Sequence, residues 1–135
     1  ARWLECSLRA SGVLGSWRVH VGMHRKPSMR QLHVHLLTAD FRSERLKTKR
    51  HWNSFNTRFF LPLAQALCML EATGSADAEA RREGTSALEH ELLQSAPMVC
   101  PPCSAAAGKD VTARTMPDLK RHLATSEHKR NCCVS

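Results

Sequence analysis

The apolar run from Leu32 to Leu37 is interrupted by His33 and His35. A strand repeats every two residues, so both imidazoles fall on one face and Leu32, Val34 and Leu36 on the other. Residues 31–38 are the strongest strand expectation. Two histidines side by side on an apolar-backed strand suit a reaction centre better than ordinary sheet. Trp17 to Val21 predicts a second short strand, and Phe55 to Phe60 a further extended piece. Gly22 to Met29 reads as a loop in which Pro27 holds Lys26 extended, and Phe41 to Asn53 as a polar, basic loop. Pro62 to Leu70 predicts a helix with Pro in its first turn, Ser86 to Leu93 a short helix, and Met116 to Leu123 the start of another. Residues 1–17 carry little pattern, broken at Ser11-Gly12 and Gly15-Ser16. Ala72 to Thr85 has linker composition, with no apolar period.

Composition narrows this picture. The chain has 135 residues, room for about one domain. Hydrophobic content is 42%, but aromatic content is only 5% with no Tyr, so the core must be mostly aliphatic. The net charge of +8 predicts an anionic partner, nucleic acid being the commonest. Six of the twelve acids lie between Glu71 and Glu91, which concentrates the basic charge on either side of an acidic joint. No segment reaches the roughly 18 apolar residues of a membrane span, and no signal peptide is visible. The six cysteines are Cys6, Cys68, Cys100, Cys103, Cys132 and Cys133, too unevenly placed for a secreted disulfide framework. Cys6 and Cys68 read as plain thiols.

Cys100 and Cys103 open the frame Cys-x2-Cys-x18-His-x5-His, closed by His122 and His128. Two thiolates on a tight turn and two imidazoles on a helix supply the four tetrahedral N/S ligands that structural zinc takes. A unit this short could hardly fold without such a staple. The loop is longer than the usual zinc-finger spacing. His122 and His128 are six positions apart and do not share one helix face, so the helix must loosen near Thr125-Ser126. Glu127, Cys132 and Cys133 are rival fourth ligands. Lys109, Arg114, Lys120, Arg121, Lys129 and Arg130 decorate the unit and suit phosphate contacts, or form a solvated helix face.

Residues 42–58 hold six Lys/Arg against one acid, interleaved with Trp52 and Phe55. Cations neutralise phosphates, and an aromatic face can stack on a base. Phe55 reads better as a core anchor; Trp52 fits either role.

The string Gly22-Met23-His24-Arg25-Lys26-Pro27-Ser28-Met29-Arg30-Gln31-Leu32-His33-Val34-His35-Leu36 resembles the active-site region of the histidine-triad superfamily. Together with Leu46-Lys47-Thr48-Lys49-Arg50-His51-Trp52-Asn53-Ser54-Phe55-Asn56-Thr57 and the Cys/His unit, it resembles the aprataxin family of DNA-adenylate hydrolases, the plant type in particular. The resemblance runs over about residues 19–60 and 92–128. It implies an α+β fold: a C-terminal half of a histidine-triad domain over residues 19–71, a linker over 72–86, and a helix plus zinc finger over 87–135. Residues 1–18 stay unassigned, and the nucleotide-pocket half of the domain has no counterpart in them. It implies removal of AMP from adenylated DNA 5′ ends. His33 would be the nucleophile, His35 a phosphate ligand, Ser28 a phosphate-binding serine and His24 an active-site histidine. Gln31 stands where a first triad histidine often does and would orient His33 by hydrogen bonding. Lys47, Lys49, Arg50, His51 and Trp52 would hold the DNA end, helped by Lys120 and Arg121. Zinc would be structural. A nuclear location, DNA repair proteins as partners and AMP as product come with the same resemblance. The alternative is a catalytically inactive, zinc-dependent DNA-binding remnant.

Overall fold

The computed structural model describes residues 2–12, 14–26, 29, 31–74 and 89–133. Helix α1 (Arg2–Ala10) occupies the stretch expected to be patternless. The Arg9 guanidinium ties its end to the following turn, donating to the carbonyls of Gly15 at 3.1 Å and Trp17 at 2.8 Å. Strand β1 (Val19–His24) follows, then β2 (His35–Thr38), helix α2 (Lys49–Asn56), β3 (Phe60–Pro62) and helix α3 (Leu63–Thr73). The three strands form an antiparallel sheet in the order β2-β1-β3. Among the described residues no helix is long and apolar enough to cross a membrane.

Strand β2 is shorter than the periodicity predicts. The β1–β2 ladder ends at the pair Gly22 and His35, and Gln31 to Val34 are irregular. The His33 ring explains the stop: its Nδ1 lies 3.0 Å from the Gln31 carbonyl, occupying a group that a ladder would need. Leu32 and Val34, expected to back the strand, are 81% and 47% exposed. β2 is an edge strand of the sheet.

The expected loop over 41–53 is the second correction. Its second half is α2, capped by Thr48, whose hydroxyl accepts from the His51 N–H at 3.2 Å. Polarity hid this helix. Lys49, Arg50 and His51 face outward or partly so, while Trp52, Asn53 and Ser54 are buried. At Phe55 to Phe60 only Phe60 is extended. The linker expectation falls mostly on residues 75–88, outside the described residues, as does the start of the helix expected from Ser86. Glu91–Ser95 forms one π-helical turn.

The C-terminal unit contains β4 (Met98–Val99), helix α4 (Pro101–Ala107), β5 (Thr112–Ala113), helix α5 (Met116–Leu123) and helix α6 (Ser126–Cys132). β4 and β5 pair antiparallel. The long x18 loop is therefore filled by a helix and a small ribbon. One hydrophobic cluster joins this unit to the sheet half: Phe41, Leu46 and Trp52 pack with Met98, Cys100, Cys103, Leu119 and Leu123. The contacts that fix it come from α2. Trp52 donates its indole N–H to the Val99 carbonyl at 3.0 Å, and Asn53 donates its amide to the Ala96 carbonyl at 2.9 Å. Buried polar groups of this kind are costly unless paired, so they set the register of the segment leading into Cys100.

Candidate functional site

β1 and β2 bring His24 and His35 to one face of the sheet, their ring centroids 4.5 Å apart. His33 stands edge-on to His35 at 5.0 Å. Phe55 of α2 lies beneath, 4.9 Å from His24 and 5.2 Å from His35, with Phe59 5.5 Å from His24. Phe55 is thus an anchor under the histidines. Gly22 makes the close approach of β3 feasible. A Cβ there would collide with the Leu61 carbonyl oxygen and fall 2.7 Å from the Phe60 ring.

The electrostatics follow from this packing. Burial pushes His24 down to about 4, with the nearby charges of His35 and His33 adding to the effect. Burial, then His33, also lowers His35. Both rings are held neutral near pH 7. The Nε2 atoms of His24 and His35 are buried without a hydrogen-bond partner among the described residues. For His33 the tautomer is set by geometry. A carbonyl can only accept, so Nδ1 donates to Gln31 O, and the neutral form of the ring then carries its lone pair on Nε2. The orienting group is the main chain of Gln31; its side chain is exposed. It is the Gln31 carbonyl, not the side chain, that lies against the His33 ring. Ser28 lies outside the described residues.

Of the residues expected to hold DNA, Lys47, Arg50 and His51 are exposed and Lys49 partly so. Lys49 donates to the Ser95 carbonyl at 3.2 Å. Lys120 and Arg121 are exposed on α5, and Arg121 pairs with Asp118 at 3.0 Å. Trp52 is a correction. It is fully buried, edge-on to Phe41 at 5.2 Å, with its N–H spent on Val99. A side chain with no exposed face cannot stack on a base. Asn53 and Glu89 were missed. Asn53 reads as polar loop until α2 is known, and Glu89 lies far in sequence from the cations it meets.

The second cluster is a candidate metal centre. One ligand atom from each of Cys100, Cys103, His122 and His128 lies within 4.8 Å of all the others. His128 Nδ1 is 3.4 Å from Cys100 Sγ and 3.5 Å from Cys103 Sγ. Zn–S and Zn–N bonds of about 2.3 and 2.0–2.1 Å give a tetrahedron edge of about 3.5 Å, so these spacings fit that ion. The six-residue spacing is bridged by a break. α5 ends at Leu123, and Thr125 caps α6 by accepting from the His128 N–H at 3.2 Å. His128 Nε2 donates to the Asp40 carbonyl at 3.0 Å, which leaves Nδ1 with its lone pair toward the thiols. His122 Nε2 is buried and unpartnered among the described residues, as a ligand nitrogen awaiting a cation would be. Asn131 donates to Cys103 Sγ at 3.4 Å. Burial drives the Cys100 thiol up to about 12, so a cation is what would stabilise its thiolate here. Among the rival ligands, Glu127 is exposed. The Cys132 thiol donates to the Ala39 carbonyl at 3.2 Å, and Cys133 Sγ lies 3.5 Å from the Ser16 hydroxyl.

The two clusters meet at the end of one strand. Asp40 and Ala39, whose carbonyls take His128 and Cys132, directly follow β2, the strand of His35. Phe41 closes that turn with a left-handed backbone, φ 48°.

No family model matches the chain. Three relatives do. It is 40% identical over 77% of its length to an aprataxin-like protein of Drosophila melanogaster, of which it covers 14%. It is 40% identical over 78% of its length to an aprataxin of Danio rerio, covering 28% of that protein, and 36% identical over 80% to an aprataxin of Gallus gallus, covering 30%. The chain thus spans under a third of the length of these relatives and matches their C-terminal part. On these matches it belongs with the aprataxins and aprataxin-like proteins.

Proposed function

We propose that this chain carries the nucleophile and the DNA-gripping unit of a DNA-repair hydrolase that removes AMP from adenylated DNA 5′ ends. One observation supports the assignment above others: His33 donates Nδ1–H to the Gln31 carbonyl, which in the neutral ring leaves the lone pair on Nε2. In the reading we favour, that nitrogen attacks the α-phosphorus of the AMP, and the DNA 5′-phosphate departs. Water then hydrolyses the His33–AMP intermediate, splitting one hard displacement into two. A phosphate monoester with a second pKa of about 6 leaves as an anion without a strong acid. His24 and His35, neutral near pH 7, would therefore serve as hydrogen-bond donors to phosphate oxygens. Charge neutralisation would fall to Lys and Arg side chains. Zinc on Cys100, Cys103, His122 and His128 would be structural, because a site saturated by four protein ligands leaves no open position for chemistry. A nuclear location and repair-protein partners belong to the same proposal.

A second reading has one observation in its favour. Leu32 and Val34 stand exposed beside His33, so no described residue walls an adenine pocket there. On that reading the chain binds DNA without turnover. AMP release from a 5′-adenylated nicked duplex separates the two. Release by wild type that is lost in His33→Ala supports hydrolysis; tight DNA binding with no release supports the second.

A further inference from the structure

Two ion pairs converge at the edge of the histidine site. Glu89 reaches two cations from two separate elements. Its Oε2 lies 2.9 Å from Lys26 Nζ, just after β1, and its Oε1 lies 2.9 Å from the Arg50 guanidinium on α2. The two oxygens of one carboxylate are divided between two cations, as non-bridging oxygens of a phosphate would be. The three side chains meet in a cleft of about 280 Å³ that His24, His51, Ser54 and Phe59 also line. The cations remain half exposed, while Glu89 is the more buried member. Exposed pairs of this kind contribute little and give way readily. Both cations hold Glu89 below the usual carboxylate range, Lys26 foremost, so it stays an anion at neutral pH.

We propose that Lys26 and Arg50 form a phosphate site beside the histidine cluster, and that Glu89 is its resident stand-in, displaced when a nucleic-acid backbone phosphate enters. Lys26 thereby becomes a DNA contact. Glu89 acts as a built-in competitor that weakens binding to any strand unable to reach both cations. The proposal rests on the chain being a nucleic-acid binder but not on turnover at His33.

The test measures equilibrium binding of a nicked, unadenylated DNA duplex at fixed salt, so that catalysis plays no part. Glu89→Gln should tighten binding about three- to tenfold, the scale of one ionic contact. Glu127→Gln, the same charge change at an exposed acid on α6, should tighten it far less. Lys26→Ala made in the Glu89→Gln background should abolish the gain. Equal gains from Glu89→Gln and Glu127→Gln would overturn the site, leaving only a net-charge effect. A gain that survives Lys26→Ala would also overturn it. If Glu89→Gln leaves DNA binding unchanged yet binds inorganic phosphate more tightly in a direct titration, the site takes a free phosphate, and the backbone assignment falls. AMP release is scored separately, so loss of turnover with an intact Glu89 effect would refute the hydrolase alone.

Discussion

Gly22→Ala is the sharpest perturbation of the sheet that carries the histidines. Gly22 is the crossing point of that sheet, paired with His35 on one side and Pro62 on the other. Its φ is ordinary, so the penalty is space alone. The new methyl would collide with the Leu61 carbonyl oxygen and sit 2.7 and 2.8 Å from two Phe60 ring carbons. The oxygen is main chain and cannot rotate away, so β3 must move bodily. Overpacking of this kind costs about 1–3 kcal/mol. A lost ladder hydrogen bond adds about 0.5–1.5 kcal/mol. The expected total is about 2–4 kcal/mol, which at about 3–5 °C per kcal/mol lowers Tm by about 6–20 °C. Phe60 also lies edge-on to His24 at 6.3 Å, so the displacement reaches the histidine cluster. Urea and thermal melts of wild type and Gly22→Ala decide the matter. A variant within about 0.5 kcal/mol of wild type would refute the close β1–β3 approach, since that is the range of substitutions away from packed sites.

Lowering the pH should destabilise the fold. His24 is held down at about 4, so between its ordinary value and about 4 the unfolded chain binds the extra proton. Stability is complete above about 6.5 and falls as pH drops towards 4. Holding His24 at about 4 rather than 6.5 amounts to about 3.4 kcal/mol, discounted to about 1–2 kcal/mol because the ring is partly solvent-screened. Urea melts from pH 7.5 to 4.5 should show the loss, and His24→Phe should flatten it; an unchanged slope would contradict the burial of that ring. One zinc should bind per chain and be lost in Cys100→Ser. Stripping it should raise amide exchange at residues 35–41, because His128 and Cys132 anchor that segment through the Asp40 and Ala39 carbonyls; exchange confined to residues 98–132 would contradict the anchor. Trp52→Phe should cost about 1–3 kcal/mol through the unpaired Val99 carbonyl while leaving the salt dependence of DNA binding intact. Lys49→Ala with Arg50→Ala should instead flatten that dependence, and the reverse pattern would return Trp52 to the interface.

Local chemistry was the legible part of the sequence. The His33/His35 alternation placed both rings together although half of the expected strand is irregular, because period two needs only an extended backbone and not a ladder. The Cys/His frame, read from ligand type and spacing, meets in space as four atoms that could share one ion. Long-range pairing was not legible. The polarity of Lys49, Arg50 and His51 disguised α2, yet the same string carries Trp52 and Asn53 into the core, where they hold the segment before Cys100. The Gln31 substitution seemed chemical from sequence, but a backbone carbonyl performs the orientation and any residue supplies one. Nothing local signals that Glu89 would find Lys26 and Arg50, since that contact forms only when β1, α2 and the π-helical turn are assembled.

The central claim is that His33 is a covalent nucleophile whose Nε2 is primed by the Gln31 carbonyl. The most direct test is to mix the protein with DNA bearing a labelled 5′-adenylate, quench within the first turnover and map the label by mass spectrometry. The account predicts AMP attached to His33, absent in His33→Ala and still formed in Gln31→Ala, whose backbone carbonyl is intact. Release of AMP at the wild-type rate by His33→Ala, or label mapped to another residue, would contradict it.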